Sequence, residues 1–151
     1  MMNIRKMNEQ DLEEVLLLEK ELFSSPWNRE HFLFELNENP FSLCLVGIVD
    51  DHIISASCAW IIYERAEIST IGVHKAYQRK GYAKKMLDTI HHHCALKGVH
   101  QIFLEVRVSN LPAIALYESY GYKVTKVRKN YYSDNHEDAY EMMAEVRNLV
   151  K

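Results

Sequence analysis

The stretch EISTIGVHKAYQRKGYAKKML, residues 67–87, changes its period in the middle. Glu67–Val73 alternates and carries the β-branched residues Ile68, Thr70, Ile71 and Val73, the pattern of a strand. From Tyr82 the apolar residues fall at Tyr82, Ala83, Met86, Leu87 and Ile90, the spacing of an amphipathic helix. Between the two lies Gln78-Arg79-Lys80-Gly81-Tyr82-Ala83. A short basic loop leading from a strand into a helix suits phosphate, because first-turn N–H groups point outward and the helix dipole favours an anion there. Gly81 removes a side chain that would keep phosphate off the backbone, and Arg79, Lys80, Lys84 and Lys85 add positive charge. The plainer reading of these residues is a basic helix start on a solvated face.

On the N-terminal side, Asn3–Met7 reads as a short strand, and Asn8 as the N-cap of a helix to about Phe23. That helix places Leu12, Val15, Leu16 and Leu22 inward and its acidic residues outward. Ser24-Ser25-Pro26-Trp27 breaks it, and Asn28 caps a second helix, Arg29–Asn37. Trp27 can wall a binding groove or staple the helix pair, and the two roles are compatible. Ser42–Val49, Ile53–Tyr63 and Ala66–Val73 read as strands, with turns at Asp50-Asp51-His52 and Glu64-Arg65, an antiparallel meander. On the C-terminal side, the phosphate-loop helix runs to Lys97 with Gly98 as its C′ residue. A strand, His100–Val106, follows. Asn110 caps a helix with Pro112 in its first turn and Gly121 beyond its end. Tyr122–Tyr132 and Ala139–Glu145 close the chain as strands around a polar loop, Ser133–Asp138. The order β-α-α-β-β-β-α-β-α-β-β defines an α/β fold, a mixed sheet with helices on both faces.

With 151 residues the chain is expected to form one domain, 1–151. Its hydrophobic share of 48% and charged share of 26% are those of a globular protein, and no apolar run approaches the ~20 residues of a membrane helix. The N-terminus lacks the apolar core of a secretory signal, which points to the cytoplasm and away from a membrane partner. Cys44, Cys58 and Cys94 are odd in number and widely spaced, and read as reduced, partly buried thiols. A net charge of −3 leaves no overall basic footprint for nucleic acid. His91-His92-His93 cannot converge on one metal ion, since helical neighbours point about 100° apart. They read as a solvated helix face, and no metal site is expected.

Glu105 lies within Ile102-Phe103-Leu104-Glu105-Val106. A carboxylate among apolar neighbours is costly unless it is paired or its pKa rises. Two readings stand open: a general base near neutral pH, or an ion pair with Arg107 or another basic residue at the strand end. In the following helix Asn110, Ala113, Ile114 and Tyr117 share one face, which can look back over the end of the Glu105 strand.

These residues carry a resemblance. Gln78, Gly81 and Ala83 fit the pattern Gln/Arg-x-x-Gly-x-Gly/Ala, and in this the sequence resembles the GNAT acetyltransferase family, whose acetyl-CoA pyrophosphate loop has that pattern. Ala83 stands for the more frequent second glycine. The run from Leu104-Glu105-Val106-Arg107 through Ser109-Asn110, Ala113-Ile114, Leu116-Tyr117-Glu118-Ser119 and Gly121-Tyr122 resembles the bacterial ribosomal-protein-alanine N-acetyltransferases. Arg128-Lys129-Asn130-Tyr131-Tyr132, Glu137-Asp138-Ala139 and Pro26-Trp27 fit the same group. The resemblance implies the GNAT fold over essentially the whole chain. It also implies direct acetyl transfer from acetyl-CoA to the N-terminal α-amino group of a protein, a ribosomal protein with an S18-like alanine N-terminus being the expected partner. Glu105 would take the proton from the amine and Tyr117 would protonate the departing thiolate. Ile71, Gly72 and Val73 would hold the pantetheine arm, with the Val73 N–H on the thioester carbonyl. Gln78, Arg79, Lys80, Gly81, Tyr82, Ala83 and Lys84 would hold the pyrophosphate, and Asn110 would contact the cofactor.

Trp27, Tyr131 and Tyr132 are the candidates for a peptide groove, and Glu137 and Asp138 would favour a basic tail there. The plain alternative is a polar loop with two packing tyrosines. Two further functions fit the sequence: a GNAT enzyme acting on lysine or a small amine, and a CoA-binding sensor without turnover. Intact Glu105 and Tyr117 speak against the sensor.

Overall fold

The computed structural model describes residues 1–150; Lys151 lies outside the described residues. Its elements are β1 (Asn3–Lys6), α1 (Leu12–Leu22), α2 (Arg29–Asn37), β2 (Ser42–Val49), β3 (His52–Ile62), β4 (Arg65–Val73), α3 (Tyr82–Leu96), β5 (Gln101–Arg107), α4 (Leu111–Ser119), β6 (Lys123–Arg128) and β7 (Ala139–Glu145). The strands form one seven-stranded sheet in the order β1-β2-β3-β4-β5-β7-β6. The β4–β5 ladder is parallel, from Arg65↔Gln101 to Ile68↔Leu104, as a helical crossover through α3 requires. The pairs β1–β2, β2–β3, β5–β7 and β6–β7 are antiparallel. Element order and mixed sheet agree with the sequence reading. By their contacts the residues fall into two compact units, 1–60 with 69–90 and 61–68 with 91–150.

In the first unit, Asn8 accepts from Gln10 N–H and shares a capping box with Asp11, so the chain enters through a 3₁₀ turn, Glu9–Asp11, before α1. Leu12, Val15 and Leu18 of α1 and Phe32 of α2 are buried against Cys44, Val46, Ala56 and Cys58 of the sheet. Leu16 and Leu22, expected inward, are half-buried and packed against the same core, and Leu18 joins it without having been expected there. The acidic face is also interrupted, because Asp11 and Glu19 are buried. Asp11 is held by both guanidinium nitrogens of Arg5 at 2.8 Å. The β2–β3 hairpin turns at Asp50 (φ 49°) and Asp51 (φ 65°), successive left-handed residues whose twist matches the flanking strands.

Two cysteines depart from expectation. Cys44 and Cys58 are directly opposed across β2–β3 with Cα atoms 4.2 Å apart, and they form a disulfide; Cys94 is free and buried. Fourteen residues of separation concealed the pairing, because a two-residue turn folds the hairpin back into that register.

In the second unit, β7 pairs with β5 along its length, from Gln101↔Glu145 to Arg107↔Ala139. Strand β6 spans Lys123–Arg128, shorter than the expected Tyr122–Tyr132, and the turn before β4 falls at Tyr63 (φ 54°), one residue early. His91 is not on a solvated face. It is 1% exposed, and its Nε2 lies 2.8 Å from the hydroxyl of Tyr122, which is itself buried. No described helix is long and apolar enough to cross a membrane.

Candidate active site

The first unit carries the loop. After β4, His74 caps a 3₁₀ turn, Lys75–Tyr77, by accepting from the Ala76 N–H at 3.1 Å. The Gln78 side chain reaches back and donates to the Val73 carbonyl at 2.9 Å, so Gln78 braces the loop against the strand end. Arg79 (φ 64°) and Gly81 (φ 85°) both take left-handed backbone, which turns the chain into α3. A Cβ on Gly81 would meet nothing within 4 Å, so the space over this turn is open, as an approaching phosphate requires. Lys85 N–H donates to Gly81 O at 3.2 Å, the bond that joins the loop to α3. Arg79, Lys80, Lys84 and Lys85 are exposed around it. Tyr82, at a variable position of the loop pattern, has its ring centroid 6.3 Å from that of Tyr77.

Gly72 has a different reason for lacking a side chain. A Cβ there would lie 2.6 Å from Leu22 Cδ1 and 3.1 Å from Phe23, so the glycine admits the end of α1 against β4. Trp27 is the N′ residue of α2. Its ring sits 5.1 Å from Phe32 at N4, and its N–H donates to Glu19 at 2.9 Å. That is a hydrophobic staple fastened by a buried carboxylate, which burial pushes to a higher pKa. Glu19 also lies 3.4 Å from the Thr70 hydroxyl on β4, a link no local sequence signal announces.

The second unit carries the carboxylate. Glu105 on β5 faces Glu141 on β7, and Glu67 on β4 approaches from the other side. Its partner is not Arg107 but Arg128 of β6, at 3.4 Å; Arg128 also holds Glu141 at 2.8 Å. Burial raises the Glu105 pKa from 4.5 to about 7, Glu67 raises it further within that sum, and Arg128 opposes both. A carboxylate poised near neutrality can accept a proton from an amine. Glu67, Glu141 and Arg128 were not singled out in the sequence. Only strand register brings them to Glu105, although alternation does place Glu67 on one face of its strand.

Tyr117 is buried, and burial pushes its phenol up to about 12, so it stays protonated at neutral pH. Its ring lies 5.8 Å from Tyr122. Tyr131 and Tyr132 meet edge to face at 5.0 Å; burial raises both pKa values, and the Glu105 charge adds to each. Tyr132 also raises Tyr117, so Tyr132 lies within electrostatic reach of both Tyr117 and Glu105. Asn110 caps α4, accepting from Ala113 N–H at 3.3 Å. Glu137 and Asp138 are each engaged within the protein. Glu137 takes Arg107 and the Ser109 N–H, and Asp138 takes Lys129 and the Asn130 N–H.

A mixed sheet with a basic, glycine-containing loop opening α3 is the fold of an acetyl-CoA-dependent acyltransferase. The model of the acetyltransferase (GNAT) family matches residues 11–122, and this chain belongs to that family. Among its relatives, the ribosomal protein bS18-alanine N-acetyltransferase of Salmonella typhimurium is 32% identical over 131 residues, covering 85% of this chain and 87% of the relative. A Bacillus subtilis protein provisionally named for the same activity is 36% identical over 136 residues, 90% of each chain. The crystal structure of the ribosomal-protein-S18-alanine N-acetyltransferase from Escherichia coli superimposes with a TM-score of 0.88 at 29% identity, over 97% of this chain and 94% of that one. Arabidopsis thaliana Naa50, solved with the bisubstrate analogue CoA-Ac-MVNAL, shares the fold with a TM-score of 0.83 at 21% identity, covering 95% and 97%.

Proposed function

We propose that this chain, acting as one domain in the cytoplasm, transfers the acetyl group of acetyl-CoA to the N-terminal α-amino group of a protein. The acceptor we favour is a ribosomal protein whose chain begins with alanine. The observation that carries the acceptor is the agreement of four relatives at 30–36% identity, each matching 85–92% of this chain and named, one of them provisionally, for bS18 alanine N-acetylation.

The chemistry follows from the residues. An α-amine with a pKa near 8 is largely protonated at neutral pH and must lose a proton before or as it attacks. Glu105 accepts that proton, directly or through water, while the C–N bond forms and the thioester C–S bond breaks. The Val73 N–H polarises the thioester carbonyl, and Ile71–Val73 align the pantetheine arm. Gln78 holds the loop, and residues 79–84 offer backbone N–H groups and positive charge to the pyrophosphate; Asn110 adds a cofactor contact. Tyr117 donates a hydrogen bond to the departing sulfur. Burial pushes its phenol up to about 12, so it is protonated when the thiolate departs and delivers its proton there. Trp27, Tyr131 and Tyr132 are each assigned to acceptor binding. No cysteine is used, so the transfer is direct.

The test is the position of the acetyl group on a peptide with an N-terminal alanine and an internal lysine, read by tandem mass spectrometry. The α-nitrogen is the expected site; acetyl on the lysine alone overturns the proposal.

A further inference from the structure

We propose that Arg107 is the positioning residue of the acceptor wall: it assembles the β6–β7 loop, and with it Tyr131 and Tyr132, onto the end of the strand that carries Glu105. This rests on the reading above in assigning those tyrosines to the acceptor.

The loop, residues 129–138, contains neither glycine nor proline, yet Asn130 (φ 51°) and His136 (φ 60°) both adopt left-handed backbone. Such residues persist where surrounding contacts over-determine them. Inside the loop the backbone supplies two bonds, Tyr132 N–H to Glu137 O at 3.1 Å and His136 N–H to Tyr132 O at 2.8 Å. Arg107 adds three from its side chain. Its Nη2 donates to Asp134 at 2.9 Å, and its Nη1 to Glu137 and Asn135 at 3.2 Å each. The guanidinium carbon stands 3.9 Å from the Tyr132 ring centroid. One planar cation therefore binds two carboxylates, an amide and an aromatic face at once, which an ammonium cannot do. Without it Asp134 and Glu137 would be left partly buried as like charges, at 23% and 15% exposure.

The strand end is tied to the loop at further points. Ser109 N–H donates to Glu137 at 2.9 Å, and Val108 N–H to the Asp138 carbonyl at 3.2 Å. Arg107 lies two residues beyond Glu105, on the same face of β5. The base and the wall are thereby carried by one strand.

The full chain is compared with Arg107→Ala, Arg107→Lys and the milder Glu137→Gln. Hydrogen exchange of residues 129–138 is followed in the free protein, and KM is measured for an alanine-initiated peptide and for acetyl-CoA. Arg107→Ala is expected to speed loop exchange and raise the peptide KM by about tenfold or more, leaving the acetyl-CoA KM within about twofold. Arg107→Lys should recover less than half of that loss, because it restores charge without the fork. Glu137→Gln should move both readouts the same way by a smaller factor, and it decides the matter should Arg107→Ala fail to fold. Unchanged loop exchange, or equal rises in both KM values, overturns the proposal. Loop exchange is read without substrate, so a wild-type protein that acetylates no N-terminus would refute the acceptor reading alone.

Discussion

Replacing Glu105 by Gln keeps the shape of the protonated carboxyl and removes its titration. Folding raises this group from 4.5 to about 7, so its native environment costs nothing below the lower value. The cost grows as pH rises between the two and is constant above about 7, where the native state must bear a charge it disfavours. Taken at face value the shift corresponds to ~3 kcal/mol. Partial solvent access reduces the expected gain to ~1–2 kcal/mol, the opposing pull of Arg128 being already contained in the shift. Glu105→Gln should therefore be more stable than the parent by that amount at pH 8 and equal to it at pH 4, in urea titrations at both pH values. Its kcat should fall by ~10²–10³-fold at pH 7, since an amide cannot accept the proton. In kcat/KM against pH, the limb near 7 should vanish, while a limb from the acceptor's own α-amino group remains. A variant whose stability difference is the same at pH 4 and pH 8 would refute the reasoning.

Other expectations are simpler. Glu67→Gln removes a like charge from Glu105, so the acidic limb of kcat/KM should move down by about one pH unit; an unmoved limb would separate the two carboxylates. Gly81→Ala meets no steric obstacle but forces φ 85° on an L residue, for a cost of ~1 kcal/mol in thermal or urea unfolding. It should raise the acetyl-CoA KM and spare the peptide KM. Alkylation of the denatured, unreduced protein should label Cys94 and leave Cys44 and Cys58 unlabelled by mass; three labels would mean that the β2–β3 pair is reduced.

The elements were legible because their signals are local. Asn8, Asn28 and Asn110 cap where capping chemistry requires, and Gly98 and Gly121 close helices at positive φ. The loop before α3 was legible for the same reason. What escaped depends on register and tertiary packing. The Cys44–Cys58 pairing, the carboxylates beside Glu105 and the Arg128 partner all require knowing which strand residues stand opposite each other. His91 looked solvated because it sits in a polar run, yet Tyr122 gives it a buried partner from beyond α4. The missing side chain of Gly72 admits Leu22 and Phe23, a tertiary reason that the strand pattern does not carry.

The central claim is that a protein α-amine is the acceptor. The most direct measurement is release of CoA thiol from acetyl-CoA, with peptides bearing free N-termini, alanine among them, run beside α-blocked lysine peptides and polyamines. Turnover confined to free N-termini, fastest with alanine, is the predicted result. Turnover with blocked lysine peptides or polyamines alone would contradict it.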